Sequence, residues 1–197
     1  LCLWMAERQA AEHVVGSVAD LEDLLDVEVL DSLLICGVED GTQIELPNLR
    51  VVEGWIDIHT NPSLTHVSMP RLERAGLLRL DSNQGLQSFD FSALRGLTIT
   101  GLAASLVVNN QSVQHIEFPA LESVPGGISM SSSGADTLLF PALREARAFG
   151  LYRSRTQVLE LPVLEQVELL QASMNENLQR LELPALQQIS RLSCSSN

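Results

Sequence analysis

Seven short segments, LPNL, MPRL, FSAL, FPAL, FPAL, LPVL and LPAL, begin at residues 46, 69, 91, 118, 140, 161 and 183, at intervals of 23, 22, 27, 22, 21 and 22 residues. Such a period means one small structural unit repeated along the chain, and it constrains the fold more than any other feature. With the first residue of each segment as position zero, position +3 is Leu in all seven repeats: Leu49, Leu72, Leu94, Leu121, Leu143, Leu164 and Leu186. Position +6 (Val52, Ala75, Leu97, Val124, Ala146, Val167, Ile189) and position −2 (Ile44, Val67, Phe89, Ile116, Leu138, Leu159, Leu181) stay apolar throughout. These are core columns.

Between the anchors lie short alternating runs such as WIDI (55–58), LLRL (77–80) and GISM (127–130), which read as strands with one buried face. A unit of about 22 residues cannot bury its apolar side alone, so the coils must stack. The pattern predicts an all-β, right-handed β-solenoid of leucine-rich-repeat type. Position −8 reads Val38, Asn61, Asn83, Asn110, Ser132, Arg153 and Asn175; asparagine amides bond exposed backbone at a tight bend, so Asn61, Asn83, Asn110 and Asn175 are expected to form an internal ladder. Asn110 also opens an N-Q-S sequon, which a buried position makes unusable. Proline fills position +1 in six of seven repeats, with Ser92 the exception, marking a corner where no inter-coil amide bond is made. The repeat from 91 to 118 carries about five extra residues, and the insertion around 98–106 is expected to bulge as a loop.

Ahead of the repeats, residues 3–15 read as a helix, and Ser17 to Asp20 as a capping-box-like start of a second short helix through Leu25. The expected organisation is a helical N-terminal cap over 1–26 and a solenoid of about seven repeats over 27–197, one domain overall. Asn197 stands fourteen residues after Leu183, as Asn83 does after Met69, so the chain is expected to stop part-way through a coil, as a fragment would. Three cysteines allow at most one internal disulfide: either Cys2 pairs with Cys36, both near the N-terminal end, or Cys2, Cys36 and Cys194 are reduced and mostly buried.

The formal charge is −13, and every basic residue is Arg. Residues 1–45 hold 11 acids against one Arg (net −10), and residues 46–197 hold 14 against 11 (net −3). Nucleic acid and anionic membranes are therefore poor partners. No run approaches 18 consecutive apolar residues, so no membrane insertion by this segment is expected.

The succession of an early Cys, a short helix, VEVLDSLLI (27–35) and LPNLRVVEGWIDIHTNPSLTHVSMPRL (46–72) resembles the receptor L domain, the leucine-rich solenoid of insulin and epidermal growth factor receptors. The FPALESV repeats look closest to similar modules in fungal and bacterial cell-surface proteins. The resemblance covers roughly 18–197; Asp26 stands where family members usually carry a second cysteine. It implies a non-catalytic recognition or adhesion module, extracellular or at the cell surface, with a protein or carbohydrate ligand.

The sequence holds no G-x-S-x-G, G-x-G-x-x-G, P-loop or H-E-x-x-H, so no enzyme, catalytic residue, cofactor or bound metal is expected. His66 and His115 share position −3 but lie two coils apart, too far for one zinc. Position −1 gives Glu45, Ser68, Asp90, Glu117, Leu139, Glu160 and Glu182. It reads first as a solvated face, second as a partner or calcium surface, and last as the carboxylates of a polysaccharide-acting enzyme. Position +4 alternates Arg50, Glu73, Arg95, Glu122, Arg144, Glu165 and Gln187, opposite charges above and below that set coil register. Position −4 is a polar strip of Thr42, Thr65, Gln87, Gln114, Asp136, Gln157 and Gln179. Gln87, Gln114, Gln157 and Gln179, with Asp90, Glu117, Glu160 and Glu182, are the expected partner face. A structural spacer within a longer surface protein is the alternative.

Overall fold

The computed structural model describes residues 12–39, 43–100, 104–131 and 134–195. These residues form a parallel β-solenoid of about eight turns with very little helix. One side of every coil contributes to a long-strand sheet, which runs through Glu12–Val15, Ser32–Cys36, Val51–His59, Arg74–Asp81, Leu106–Asn109, Ile128–Ser131, Glu145–Tyr152, Gln166–Ser173 and Gln188–Ser195. The opposite side carries three-residue strands in two groups. Gln43–Glu45, His66–Ser68 and Ser88–Asp90 make one, and His115–Glu117, Thr137–Leu139, Val158–Glu160 and Arg180–Glu182 the other.

Register follows the repeat. At position +6 the pairs are Val52↔Ala75, Ala75↔Leu97, Val124↔Ala146, Ala146↔Val167 and Val167↔Ile189. Leu49, Leu72, Leu94, Leu121, Leu143 and Leu164 are all fully buried. Each donates its N–H to the carbonyl three residues back, as Leu72 does to Met69 at 3.1 Å and Leu94 to Phe91 at 3.1 Å. Positions 0 to +3 are therefore β-turns with proline second, where a fixed φ helps and the missing N–H costs nothing. In mid-solenoid the zero column is aromatic, and Phe91, Phe118 and Phe140 stack with ring centroids 6.3 and 5.6 Å apart.

A second turn carries the asparagine ladder. Asn61, Asn83, Asn110 and Asn175 are buried. Each side-chain amide donates to a carbonyl of the preceding coil: Asn61 to Ile35 (3.1 Å), Asn83 to Ile58 (2.8 Å), Asn110 to Leu80 (3.0 Å) and Asn175 to Leu151 (3.0 Å). Each Oδ1 accepts a backbone N–H from that coil, from Val38, Asn61, Asn83 and Ser154 in turn. Burial of Asn110 takes its sequon out of play. In the coil before Leu161 position −8 falls out of the column: Arg153 is exposed at φ 50°, and Ser154 takes the buried rung. Thr60, Ser82 and Met174 hold the same left-handed conformation just before Asn61, Asn83 and Asn175. The coil ending at Leu161 is one residue shorter between rung and turn, so counting back from Leu161 lands one place early.

The N-terminal segment departs from expectation too. Glu12–Val15 is not helical; it is a strand paired with Ser32–Cys36, from Glu12↔Ser32 to Val15↔Ile35. The sheet edge at Ser32–Cys36 offers unpaired backbone, and the β-branched pair Val14–Val15 before Gly16 fits that pleat better than a helix end. The rest of the expected helix, 1–11, lies outside the described residues. The second helix is a 3-10 helix over Val18–Leu24. At its start the Asp20 carboxylate accepts from Gly16 N–H (3.0 Å), Ser17 N–H (2.9 Å) and Ser17 Oγ (3.0 Å), bonds that hold Asp20 below the usual aspartate value. Cys36 is disulfide-bonded and Cys194 is free and exposed; the Cys2 side of the expected pair lies outside the described residues.

The 27-residue repeat is where the short face divides. Its extra residues do not leave the body at once. Thr98 and Ile99 donate to the Ala75 and Gly76 carbonyls (3.0 and 2.9 Å), and Ser105 and Leu106 are buried again. Only 101–103 lie outside the described residues.

Candidate functional site

The charge column at position +4 is bound to itself. From Arg50 to Gln187 each backbone N–H donates to the carbonyl of the same position one coil back, Arg50 itself to Glu28, at 2.7–2.9 Å. Side chains pair Arg50 with Glu73 (2.8 Å), Arg95 with Glu122 (3.6 Å) and Arg144 with Glu165 (2.8 Å). The Arg50 hydrogen bond and charge hold the Glu73 carboxyl below its usual range, with Arg95 and Arg74 adding to the effect. Glu122 and Arg144 are backbone neighbours, yet each spends its charge on another partner.

The short face bears the residues singled out as a partner surface. Gln87, Gln114, Gln157 and Gln179 are exposed, and Gln157 and Gln179 are stacked through a 2.8 Å backbone bond. Glu160 and Glu182 face each other in strand register. Arg180, at position −3, lies 3.0 Å from Glu160 and 3.1 Å from Glu182 and bridges the pair, offsetting part of its charge. Asp90 and Glu117 flank the break between the two short-strand sheets. Asp90 instead accepts the N–H of Ser92 at 2.9 Å, the amide that a proline would have lacked. Gln157 and Glu160 do come together, in a groove of about 590 Å³ with Asp136, Thr137 and Leu139. His66 contacts Ser88 (2.8 Å) and His115 contacts Glu117 (3.4 Å). Among the described residues no three His, Cys, Asp or Glu side chains are grouped as a metal site.

The long-strand face holds a depression that the column-by-column reading missed. Strand alternation turns every second residue outward. Register then aligns Asp57, Arg79, Val107, Ser129, Gly150 and Gln171 in one outward row. The parallel row on one side contains Leu77, Ala148 and Leu169, and the row on the other contains Asp81, Asn109, Ser131 and Tyr152. Small side chains in consecutive coils, Ser129 with Ala148 and Gly150, leave a depression of about 630 Å³. Leu77 and Arg79 line one end, and Leu169, Gln171 and Tyr152 the other. The signal was present in GISMS (127–131) and in AFG (148–150), which alternate large inward with small outward residues before the outward Tyr152.

At the Arg79 end one guanidinium is shared by two carboxylates. Arg79 bonds Asp81 at 2.7 Å and lies 3.8 Å from the buried Asp57. Burial raises the Asp57 carboxyl above the ordinary aspartate value, offset in part by Arg79 and His59, and Asp57 Oδ1 is buried without a hydrogen-bond partner among the described residues. Burial opposes the Arg79 charge, but the Asp81 hydrogen bond and the two carboxylates outweigh it and hold the guanidinium above its usual value. The guanidinium braces the sheet and still edges the depression. A third concavity, of about 640 Å³, lies over Glu145, Arg147, Gln166 and Glu168, where Arg147 and Glu168 pair at 3.4 Å.

No family model matches the chain, and no solved structure matches it. The chain is similar to a cell surface GPI-anchored protein of Arthroderma benhamiae, with 22% identity over 175 residues, covering 80% of this chain. It spans 45% of that relative's length. No described helix is long and apolar enough to cross a membrane.

Proposed function

We propose that this solenoid is a non-catalytic recognition module of a cell-surface protein, of right-handed leucine-rich-repeat and receptor L-domain type, and that it binds its ligand on the long-strand face. The carrying observation is the depression over Ser129, Ala148 and Gly150, walled by Leu77, Leu169 and Tyr152. Concave, mostly apolar sites with a few convergent polar groups are where ligands bind, whereas the charge column and the Glu160–Arg180–Glu182 cluster are already satisfied by their own neighbours. The surface setting is supported by the Arthroderma benhamiae relative.

The test is a tetramerised, labelled chain applied to arrays of purified glycans and extracellular protein domains. Ser129→Arg fills the depression from an outward, half-exposed position, and Glu160→Arg with Glu182→Arg alters the short face. The reading expects binding that is lost in the first variant and kept in the second. Binding with the opposite sensitivity moves the site to the Gln157–Glu160 groove, binding sensitive to neither overturns both placements, and no binding at all leaves a structural spacer.

A further inference from the structure

Tyr152 is the only tyrosine in the chain, and its ring lies over Gly150. A Cβ built on Gly150 would stand 2.7 Å from Tyr152 Cε2, so the missing side chain at 150 is what seats the ring against the sheet. Tyr152 pairs in register with Ser131 on one side and Ser173 on the other. Neither neighbour is bulky, and the ring forms a platform at the wall of the depression.

A further concavity lies beside the depression, one strand neighbour away from Tyr152. It has about 600 Å³ and is lined by polar side chains including Asp81, Gln84, Asn109, Gln111 and Ser131. Ser131, the register partner of Tyr152, lines it, and Asp81, the carboxylate that grips Arg79, closes its far side. Asn109 Oδ1 accepts from Ser131 N–H (3.1 Å) and Ser131 Oγ (2.6 Å), which fixes the Asn109 amide plane. An apolar floor with an aromatic platform thus adjoins a ledge of planar amide, carboxylate and hydroxyl groups. Together they cross the coils from Arg79 to Gln171, roughly 19 Å at a strand spacing of about 4.8 Å.

We propose that this composite surface binds a neutral carbohydrate chain, one sugar ring stacked on Tyr152 and its hydroxyls bonded along the Asp81–Asn109–Ser131 ledge. The proposal rests on the recognition reading above and names its ligand class. A pyranose has an apolar face for the ring and closely spaced hydroxyls, each a donor and an acceptor, for the ledge. An anionic chain is disfavoured, because Arg79 already holds two carboxylates and the protein carries a formal charge of −13. An extended peptide finds no free strand edge, since the strands around the depression are paired on both sides.

The single tyrosine gives a direct readout. With ring-labelled tyrosine, the Tyr152 NMR signals are followed while hexamers of glucose (β-1,3 and β-1,4 linked), mannose, N-acetylglucosamine and, as the anionic control, galacturonate are added. At least one neutral hexamer should shift them saturably, and the galacturonate hexamer should not. Calorimetry of the same hexamer should show a loss of about tenfold or more for Tyr152→Ala and for Gly150→Ala, with Tyr152→Phe within about threefold of the parent. Circular dichroism and urea midpoints confirm that each variant is folded. The proposal is overturned if no neutral hexamer moves the Tyr152 signals, or if the affinity survives Tyr152→Ala. A protein domain whose binding is lost on Ser129→Arg while every sugar leaves Tyr152 unmoved overturns the carbohydrate assignment and keeps the recognition reading; with no ligand sensitive to Ser129→Arg, both fall.

Discussion

Asn83 holds Asn61 twice: its Oδ1 accepts from the Asn61 backbone N–H at 3.1 Å and from the Asn61 side-chain amide at 3.0 Å. Its own amide meanwhile donates to Ile58, so one side chain closes the polar account of a buried bend. Asn110 does the same for Asn83 and Leu80. Replacing Asn110 with Leu orphans the Asn83 N–H and the Leu80 carbonyl, and a loss of about 1–3 kcal/mol in urea unfolding is expected. Asn83→Leu should cost more, because two Asn61 donors lose their acceptor. A loss below ~0.5 kcal/mol at Asn110 would mean the ladder does not carry the bend.

The charge column makes a pairwise prediction. Arg144 and Glu165 lie 2.8 Å apart, whereas among the described residues no ion pair joins Glu122 to Arg144. A double-mutant cycle on Arg144 and Glu165 should return a few tenths to about 1 kcal/mol, shrinking with salt, and a cycle on Glu122 and Arg144 clearly less. Equal coupling in the two cycles would mean that the alternation acts as a continuous field rather than as discrete pairs.

What could be read from the sequence was what the repeat says seven times over. Register, the buried leucines, the proline turns and the asparagine rungs each recur, so one irregular coil does not hide the column. The rung at Ser154 was lost because a 21-residue coil shifts the count by one, and the strand at Glu12–Val15 because an open sheet edge overrides a weak local pattern. The compensation of Glu160 and Glu182 by Arg180 runs diagonally between columns that had been read one at a time. The depression at Ser129 and Gly150 likewise exists only across neighbouring coils, and two small residues 21 apart, with Ala148 beside them, mean little until register puts them side by side.

Asp57 should leave a signature in the pH dependence of stability. Its carboxyl is raised by burial above the ordinary 3.8, so between that value and the raised folded one the native state holds more proton than the unfolded chain. Stability contributed there is present at the acid end and is lost as pH rises through the folded value. Urea unfolding at several pH values from about 4 to 7 should show this downward component in the parent and a flatter profile in Asp57→Asn. Identical profiles would mean that Arg79 fully offsets the burial.

Arg180 is expected to matter for the short face. Arg180→Gln leaves Glu160 and Glu182 one strand apart with no cation between them, which should lower stability by about 0.5–1 kcal/mol at low ionic strength and by less in salt. A loss that persists in high salt would point to packing of the arginine stem instead of its charge.

Two glycines on the long-strand sheet should respond in opposite ways to the same change. A Cβ on Gly76 would run into the Gly54 carbonyl oxygen and stand 2.9 Å from the Glu53 carbonyl, both backbone atoms of the preceding coil, and neither can yield without breaking inter-coil register. A Cβ on Gly150 meets only the far end of the Tyr152 side chain, which can swing outward. Gly76→Ala should therefore cost at least about 1–3 kcal/mol, as overpacking does, while Gly150→Ala should stay within about 0.5 kcal/mol of the parent. Measured by urea unfolding, the pair separates fold from site: if Gly150→Ala proves as damaging as Gly76→Ala, the Tyr152 ring is a packing element of the sheet and not a platform for a ligand.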